Sequence, residues 1–202
     1  MNNQDELRSV ACEVRASDEN DTFVIEGKPA VYGKYTDMSG FFQEVIEPGA
    51  FDQADMSDII FVVNHDSSTI PLARSRANSE STMNVIKTSD GLEIRASLDV
   101  KNNPKAAELY SAVKRGDISG MSYRYRVDED RWDNIDSNYP TRHILKVKKI
   151  IDVSAVTFPA YKDTEIYARS KDMAENAKKE IEQQRKKAEM LKLEKVKALA
   201  LF

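Results

Sequence analysis

The sequence predicts a mainly β, α+β domain over residues 1–170, followed by a charged helical appendage over 171–202. Three observations carry that prediction. Short runs rich in β-branched and aromatic residues recur between Ser9 and Val156, separated by Gly, Pro, Asn and Asp turn signals. One stretch among them, with Ala106, Leu109, Tyr110 and Val113, has helical spacing instead. From about Lys171 onward Gly and Pro vanish while Ala, Glu, Lys, Gln and Leu dominate, the composition of a long helix.

Residues 9–16 alternate, with Val10, Cys12, Val14 and Ala16 set against Ser9, Glu13 and Arg15, which is the period of a half-buried strand. Asp18-Glu19-Asn20-Asp21 then turns the chain. Residues 22–32 form a bent strand or hairpin arm in which Gly27 and Pro29 mark a bulge or an edge position. The span 33–40 is loop-like, 41–46 is extended again, and Pro48-Gly49 makes a turn. The apolar run Ile59-Ile60-Phe61-Val62-Val63 is a buried strand, and 69–81 is polar and irregular. Residues 82–87 and 92–100 are two strands joined by the tight hairpin signal Thr88-Ser89-Asp90-Gly91. Asn103 caps the short helix, Pro104 opens it and Gly116 ends it. A strand with small residues at its start follows to Tyr125, and the acidic span 128–138, closed by Tyr139-Pro140, reads as a loop. Residues 142–147 alternate as a strand, and 150–156 form a second apolar run.

In the C-terminal helix Ala174, Ala177, Ile181, Ala188, Leu191 and Ala198 fall near a heptad spacing, but Gln184 and Lys195 interrupt the seam. Alanine buries little area, so the helix is a marginal coiled coil, a helix that docks on a partner, or a solvated tail. Its end, Leu199-Ala200-Leu201-Phe202, is apolar enough to bind something.

Composition narrows the function classes. With 202 residues, 41% apolar and 32% charged, the chain has enough material for one core plus an appendage. The net charge of −4 provides no basic footprint, and the lysines at 146, 148 and 149 and from 178 to 187 are interleaved with or close to acidic residues, so nucleic acid is not an expected partner. Cys12 is the sole cysteine, which excludes an intramolecular disulfide or a cysteine zinc site and fits a reducing compartment. The N-terminus is polar and acidic and no run is long enough to span a bilayer, so a soluble, non-secreted protein with no membrane partner is expected. Only His65 and His143 are available, which argues against a multi-histidine metal centre, and no cofactor is expected.

Three short motifs could carry chemistry. Asn64-His65-Asp66 stands at the end of the buried strand; a histidine there is ordinarily a satisfied structural residue, yet strand ends are rigid and reach clefts. Ser122 follows Gly120-Met121, where a missing side chain lets another backbone or a substrate approach. Asp152 lies inside an apolar run and must either face outward from an edge strand or have a partner, for which a histidine is natural.

In order and spacing Asn64-His65-Asp66, Ile118-Ser119-Gly120-Met121-Ser122-Tyr123 and Asp152-Val153-Ser154-Ala155-Val156-Thr157-Phe158-Pro159-Ala160-Tyr161 resemble the prohead (capsid maturation) serine proteases of HK97-type tailed bacteriophages. The likeness continues through Glu13-Val14-Arg15-Ala16, Ile25-Glu26-Gly27, Glu44-Val45-Ile46-Glu47-Pro48-Gly49-Ala50-Phe51 and Pro71-Leu72-Ala73-Arg74, over roughly residues 8–170. It implies a serine endopeptidase related to the herpesvirus assemblins, on a closed or nearly closed β-barrel flanked by short helices. It also implies Ser122 as nucleophile, with Ser119 the weaker choice, His65 as general base, and Asp152 as the group orienting the imidazole, with His143 the runner-up because the assemblins use a second histidine there. Backbone amides are the default oxyanion donors. The implied substrates are the major capsid protein, the scaffolding protein and the protease itself, inside the immature capsid in the host cytoplasm. A homodimer and a scaffold-binding, self-removable C-terminal helix are further implications, and a non-catalytic assembly protein with a protease-like fold is the alternative. A generic binding barrel is discouraged by the lack of an aromatic or basic face.

Overall fold

A computed structural model describes residues 5–10, 14–19, 22–157 and 167–199. Cys12, the turn at Asn20-Asp21, the segment Phe158-Pro159-Ala160-Tyr161 and the terminal Leu201-Phe202 lie outside them. The strands run β1 (Glu6–Val10), β2 (Val14–Glu19), β3 (Thr22–Val31), β4 (Thr36–Met38), β5 (Phe42–Ile46), β6 (Asp58–Val63), β7 (Ala73–Arg76), β8 (Met83–Thr88) and β9 (Gly91–Leu98). After helix α1 (Pro104–Arg115) come β10 (Gly120–Asp133), β11 (Thr141–Val156) and helix α2 (Tyr167–Leu199).

The mainly β, α+β character is observed, but the sheets do not close into a barrel. A seven-stranded sheet has the order β1-β10-β11-β5-β4, with β6 pairing β11 and β7, and a four-stranded sheet has the order β2-β3-β9-β8. Each sheet keeps open edges because, among the described residues, no ladder joins its end strands. The strand predicted over 9–16 is instead two, β1 and β2, which belong to different sheets. The two sheets enclose one core that includes Ile25, Phe51, Phe61, Leu92, Tyr123 and Ile150. The α1 face Ala106, Leu109, Tyr110 and Val113 seals this core, with Phe23 and Tyr110 packed edge to face at 5.1 Å.

Local chemistry explains several elements. Asn103 caps α1 by accepting from Lys105 N at 3.1 Å, and Gly116 ends it in the left-handed conformation at φ 82°. Between β3 and β9 the register shifts between Gly27 and Ala30, so Gly27 and Pro29 mark a bulge in an interior strand rather than an edge. At the end of the hairpin turn, a Cβ on Gly91 would stand 2.2 Å from Ala30 O, and φ is +141°, so only glycine fits.

The spans read as loops hide three strand segments. β4 lies in the loop-like 33–40 and β7 in the irregular 69–81. The acidic span 128–138 begins as the continuation of β10, and the two strands read over 142–156 are one strand, β11. Together β10 and β11 form a long antiparallel ribbon with register shifts between Arg124 and Glu129 and again before Asp130. Its far half looks like loop in composition because its charges pair across the ladder: Glu129 meets Lys146 at 2.5 Å, and Asp130 meets Arg142 Nε at 2.7 Å.

Arg142 is the most enclosed charge in the far half of this ribbon, at 2% exposure. Its guanidinium meets Glu6 of β1, Glu44 of β5, Asp130 of β10 and Glu180 of α2 within 2.5–3.1 Å. Burial works against its charge, but Glu44, Glu180 and Glu6 outweigh burial and hold its pKa well above the ordinary arginine value. Next to it Ala177 and Ile181 of α2, each 3% exposed, pack with Met38 and Phe42, and Trp132 lies edge-on to Phe42 at 4.9 Å. The helix therefore docks on its own chain through Ala177, Glu180, Ile181 and Arg185, while Met190, Leu191, Leu193 and Val196 are exposed. Arg142→Met strands the buried Glu44 beside other carboxylates, so urea unfolding at neutral pH is expected to show a loss of about 3–5 kcal/mol. A loss under about 1 kcal/mol would show that the cluster is solvated.

Candidate active site

Pairing of three strands assembles a polar patch on an apolar scaffold. β6 runs parallel to the end of β11, with Ile60 beside Asp152 and Val63 beside Ala155. β10 runs antiparallel to β11 on its other side, with Ser122 opposite Ser154 and Arg124 opposite Asp152. Because side chains alternate along a strand, Ser122 and Arg124 share one face with Asp152 and Ser154, while Met121, Tyr123 and Val153 enter the core. At the end of β6 the chain turns through Asn64 and His65, both left-handed at φ 52° and 58°. That turn aims the His65 ring back over the patch. Two such residues in succession are costly without glycine, about 1–3 kcal/mol each, and need specific anchors. Asn64 N–H donates to Ala155 O at 3.0 Å, and His65 N–H donates to Ser154 Oγ at 3.0 Å.

The His65 ring bridges two groups. Its Nε2 lies 2.5 Å from Ser122 Oγ and its Nδ1 lies 2.5 Å from Asp152 Oδ1. Asp152 can only accept when ionised, which assigns the proton to Nδ1 and leaves Nε2 to accept from the Ser122 hydroxyl. Ser122 and Asp152 are fully buried, and the His65 side chain is 8% exposed. Asp152 Oδ1 also accepts from Ser154 Oγ at 3.2 Å. Arg124 Nε stands 3.0 Å from Asp152 Oδ2, an ion pair outside hydrogen-bond alignment. A serine so placed can be deprotonated as it attacks a carbonyl carbon, and the carboxylate stabilises the imidazolium that results.

The structure brings His65, Ser122 and Asp152 together. It does not bring in His143, which lies nine positions from Asp152 along β11, roughly 30 Å at the rise of a strand. His143 instead faces Glu47 at 2.6 Å and Asp133 at 3.1 Å. Ser119 is exposed, ahead of the first residue of β10. Sequence reasoning missed Arg124 and Ser154, each two residues from a residue it named, which is the strand period and the available signal. Among the described residues no group of three His, Cys, Asp or Glu side chains could hold a metal, and no described helix is long and apolar enough to cross a membrane.

The geometry is that of a Ser-His-Asp triad on a mainly β scaffold. The chain belongs to the Caudovirus prohead serine protease family, which matches residues 10–179. It is similar to the prohead protease of Enterobacteria phage HK97, 27% identical over 160 residues, covering 77% of this chain and 64% of that protein. The chain thus spans slightly less than two thirds of that relative. Among solved structures it is similar to the bacteriophage T4 capsid assembly protease, with TM-score 0.47 and 14% identity over 77% of this chain and 98% of that one.

Proposed function

We propose that the chain is a serine endopeptidase of phage capsid maturation, in which Ser122 is the nucleophile, His65 the general base and Asp152 the orienting carboxylate. The observation that carries this is the His65 ring spanning Ser122 Oγ and Asp152 Oδ1 at 2.5 Å each; family membership supplies the setting. As Ser122 Oγ bonds to the scissile carbonyl carbon, its proton passes to His65 Nε2. His65 then gives that proton to the leaving amine, leaving an acyl ester on Ser122. Water attacks that ester with His65 again acting as base, which frees the acid product and restores the hydroxyl. Backbone amides are the expected oxyanion donors.

The substrates are the major capsid protein or its scaffolding segment, the scaffolding protein and the protease itself, within the immature capsid in the host. Helix α2 acts as a scaffold-binding appendage whose second half presents Met190, Leu191, Leu193 and Val196.

The test is co-expression with the major capsid protein of the same phage, with and without Ser122→Ala. Cleaved products with the parent chain and intact protein with the variant are expected; intact protein in both would refute protease activity and leave a non-catalytic assembly protein. Removing residues 190–202, which leaves Ala177, Glu180, Ile181 and Arg185 in place, is expected to reduce the amount of protease incorporated into proheads while leaving cleavage in solution intact. Unchanged incorporation would sink the role given to α2.

A further inference from the structure

We propose that Arg124 and Ser154 are positioning residues of the triad, clamping both the backbone of His65 and the carboxylate of Asp152; the inference rests on the reading of Ser122, His65 and Asp152 as the catalytic groups. Each of the two side chains touches both partners. Arg124 Nη2 donates to the main-chain oxygen of His65 at 2.9 Å while its Nε stands 3.0 Å from Asp152 Oδ2. Ser154 Oγ accepts from the main-chain N–H of His65 at 3.0 Å and donates to Asp152 Oδ1 at 3.2 Å. The peptide units on both sides of His65 are therefore tied to the same carboxylate that faces its ring.

This arrangement answers two physical problems of the site. His65 sits in a left-handed backbone conformation next to a second one, with no glycine to relieve it, so its ring direction depends on what holds the turn. A carboxylate at 0% exposure also needs more than one neutral partner, because a buried charge without compensation is strongly disfavoured. The planar fork of an arginine addresses both, since its rigid geometry fixes the carboxylate and the carbonyl relative to each other in a way a lysine ammonium cannot. Ser154 is fully buried in the ladder directly opposite Ser122, so its hydroxyl is available only to these inward partners. Both act through His65 and Asp152 rather than on the reacting atoms, and neither is a catalytic residue.

The expected consequence is a loss of rate at unchanged binding. Misplacing a reacting group by about 1 Å costs on the order of 10²-fold in rate, whereas neither substitution removes a group assigned to hold the peptide. The test uses the full chain, the capsid protein of the same phage as substrate, and diisopropyl fluorophosphate carried to completion to count competent serines. Arg124→Gln and Ser154→Ala are each expected to lower kcat per labelled site about 10²-fold, with KM changed less than about 3-fold. Arg124→Lys keeps the charge but reaches only one of the two acceptors, so about 10-fold of the loss should return.

Wild-type kcat per labelled site in Arg124→Gln and Ser154→Ala would overturn the proposal and make both residues merely structural. Full activity in Arg124→Lys would overturn the clamp and leave only a counter-charge, and it decides the matter if Arg124→Gln fails to fold. A parent chain that neither cleaves nor labels at Ser122 would instead refute the protease reading, and the clamp would fall with it.

Discussion

Ser122→Ala and His65→Ala are each expected to lower kcat by about 10⁶-fold, and the double variant to be no slower than either single one. The two residues act as one unit: without the hydroxyl the base has nothing to deprotonate, and without the base a serine hydroxyl is a poor nucleophile near neutral pH. The 2.5 Å contact from His65 Nε2 to Ser122 Oγ makes that coupling direct. Folding should survive both changes, since neither leaves a buried charge without its Arg124 neighbour. The measurement is cleavage rate by gel densitometry with melting temperatures alongside. Additive losses, or a His65→Ala variant within 10-fold of the parent, would remove His65 from the proposed chemistry.

Local signals in the sequence were reliable where structure is local. The α1 caps, the hairpin from β8 to β9, the Gly27 bulge and the buried run of β6 were all legible because each depends on residues close in sequence. Sheet closure was not, because it depends on which edge strands meet, and here β1 and β4 end one sheet while β2 and β8 end the other. The far half of the β10–β11 ribbon was misread as loop for a related reason. Its acidic residues look solvated in one dimension, and only the ladder shows Glu129 opposite Lys146 and Asp130 beside Arg142. Helix α2 follows the same rule: heptad spacing located Ala177 and Ile181, but the surface they cover, Met38 and Phe42, lies far away in the chain.

For the site, the motifs were legible and the geometry was not. His65 and Asp152 are 87 residues apart in sequence and meet because β6 pairs in parallel with β11, a contact no local pattern encodes. Ser154 was overlooked because a single hydroxyl in an apolar run is usually tolerated without a role, and Arg124 because its alternation with Tyr123 and Tyr125 looks like an ordinary strand face. The charge at 124 becomes informative only once Asp152 is known to be buried next to it.

Asp152→Asn is the sharper probe of that geometry, with an expected loss of about 10⁴-fold in kcat and little change in shape. The carboxylate oxygen 2.5 Å from His65 Nδ1 can only accept, which assigns the ring proton to that nitrogen. An asparagine is isosteric, but its amide can turn an NH₂ toward the ring; Nδ1 then accepts, Nε2 carries the proton, and Ser122 loses its base. The outcome also depends on Arg124 and Ser154. The Arg124 guanidinium has only donors, so it pulls the amide oxygen to the Oδ2 side and turns the NH₂ toward the ring, against the Ser154 hydroxyl that donates on the Oδ1 side. The variant should therefore be slow at every pH rather than merely shifted in its pH profile, and Asp152→Glu, which keeps the charge but displaces it by one methylene, should recover part of the rate. Activity of Asp152→Asn within 10-fold of the parent would mean that His65 holds its working tautomer without the carboxylate, and that the 2.5 Å contact serves stability rather than catalysis.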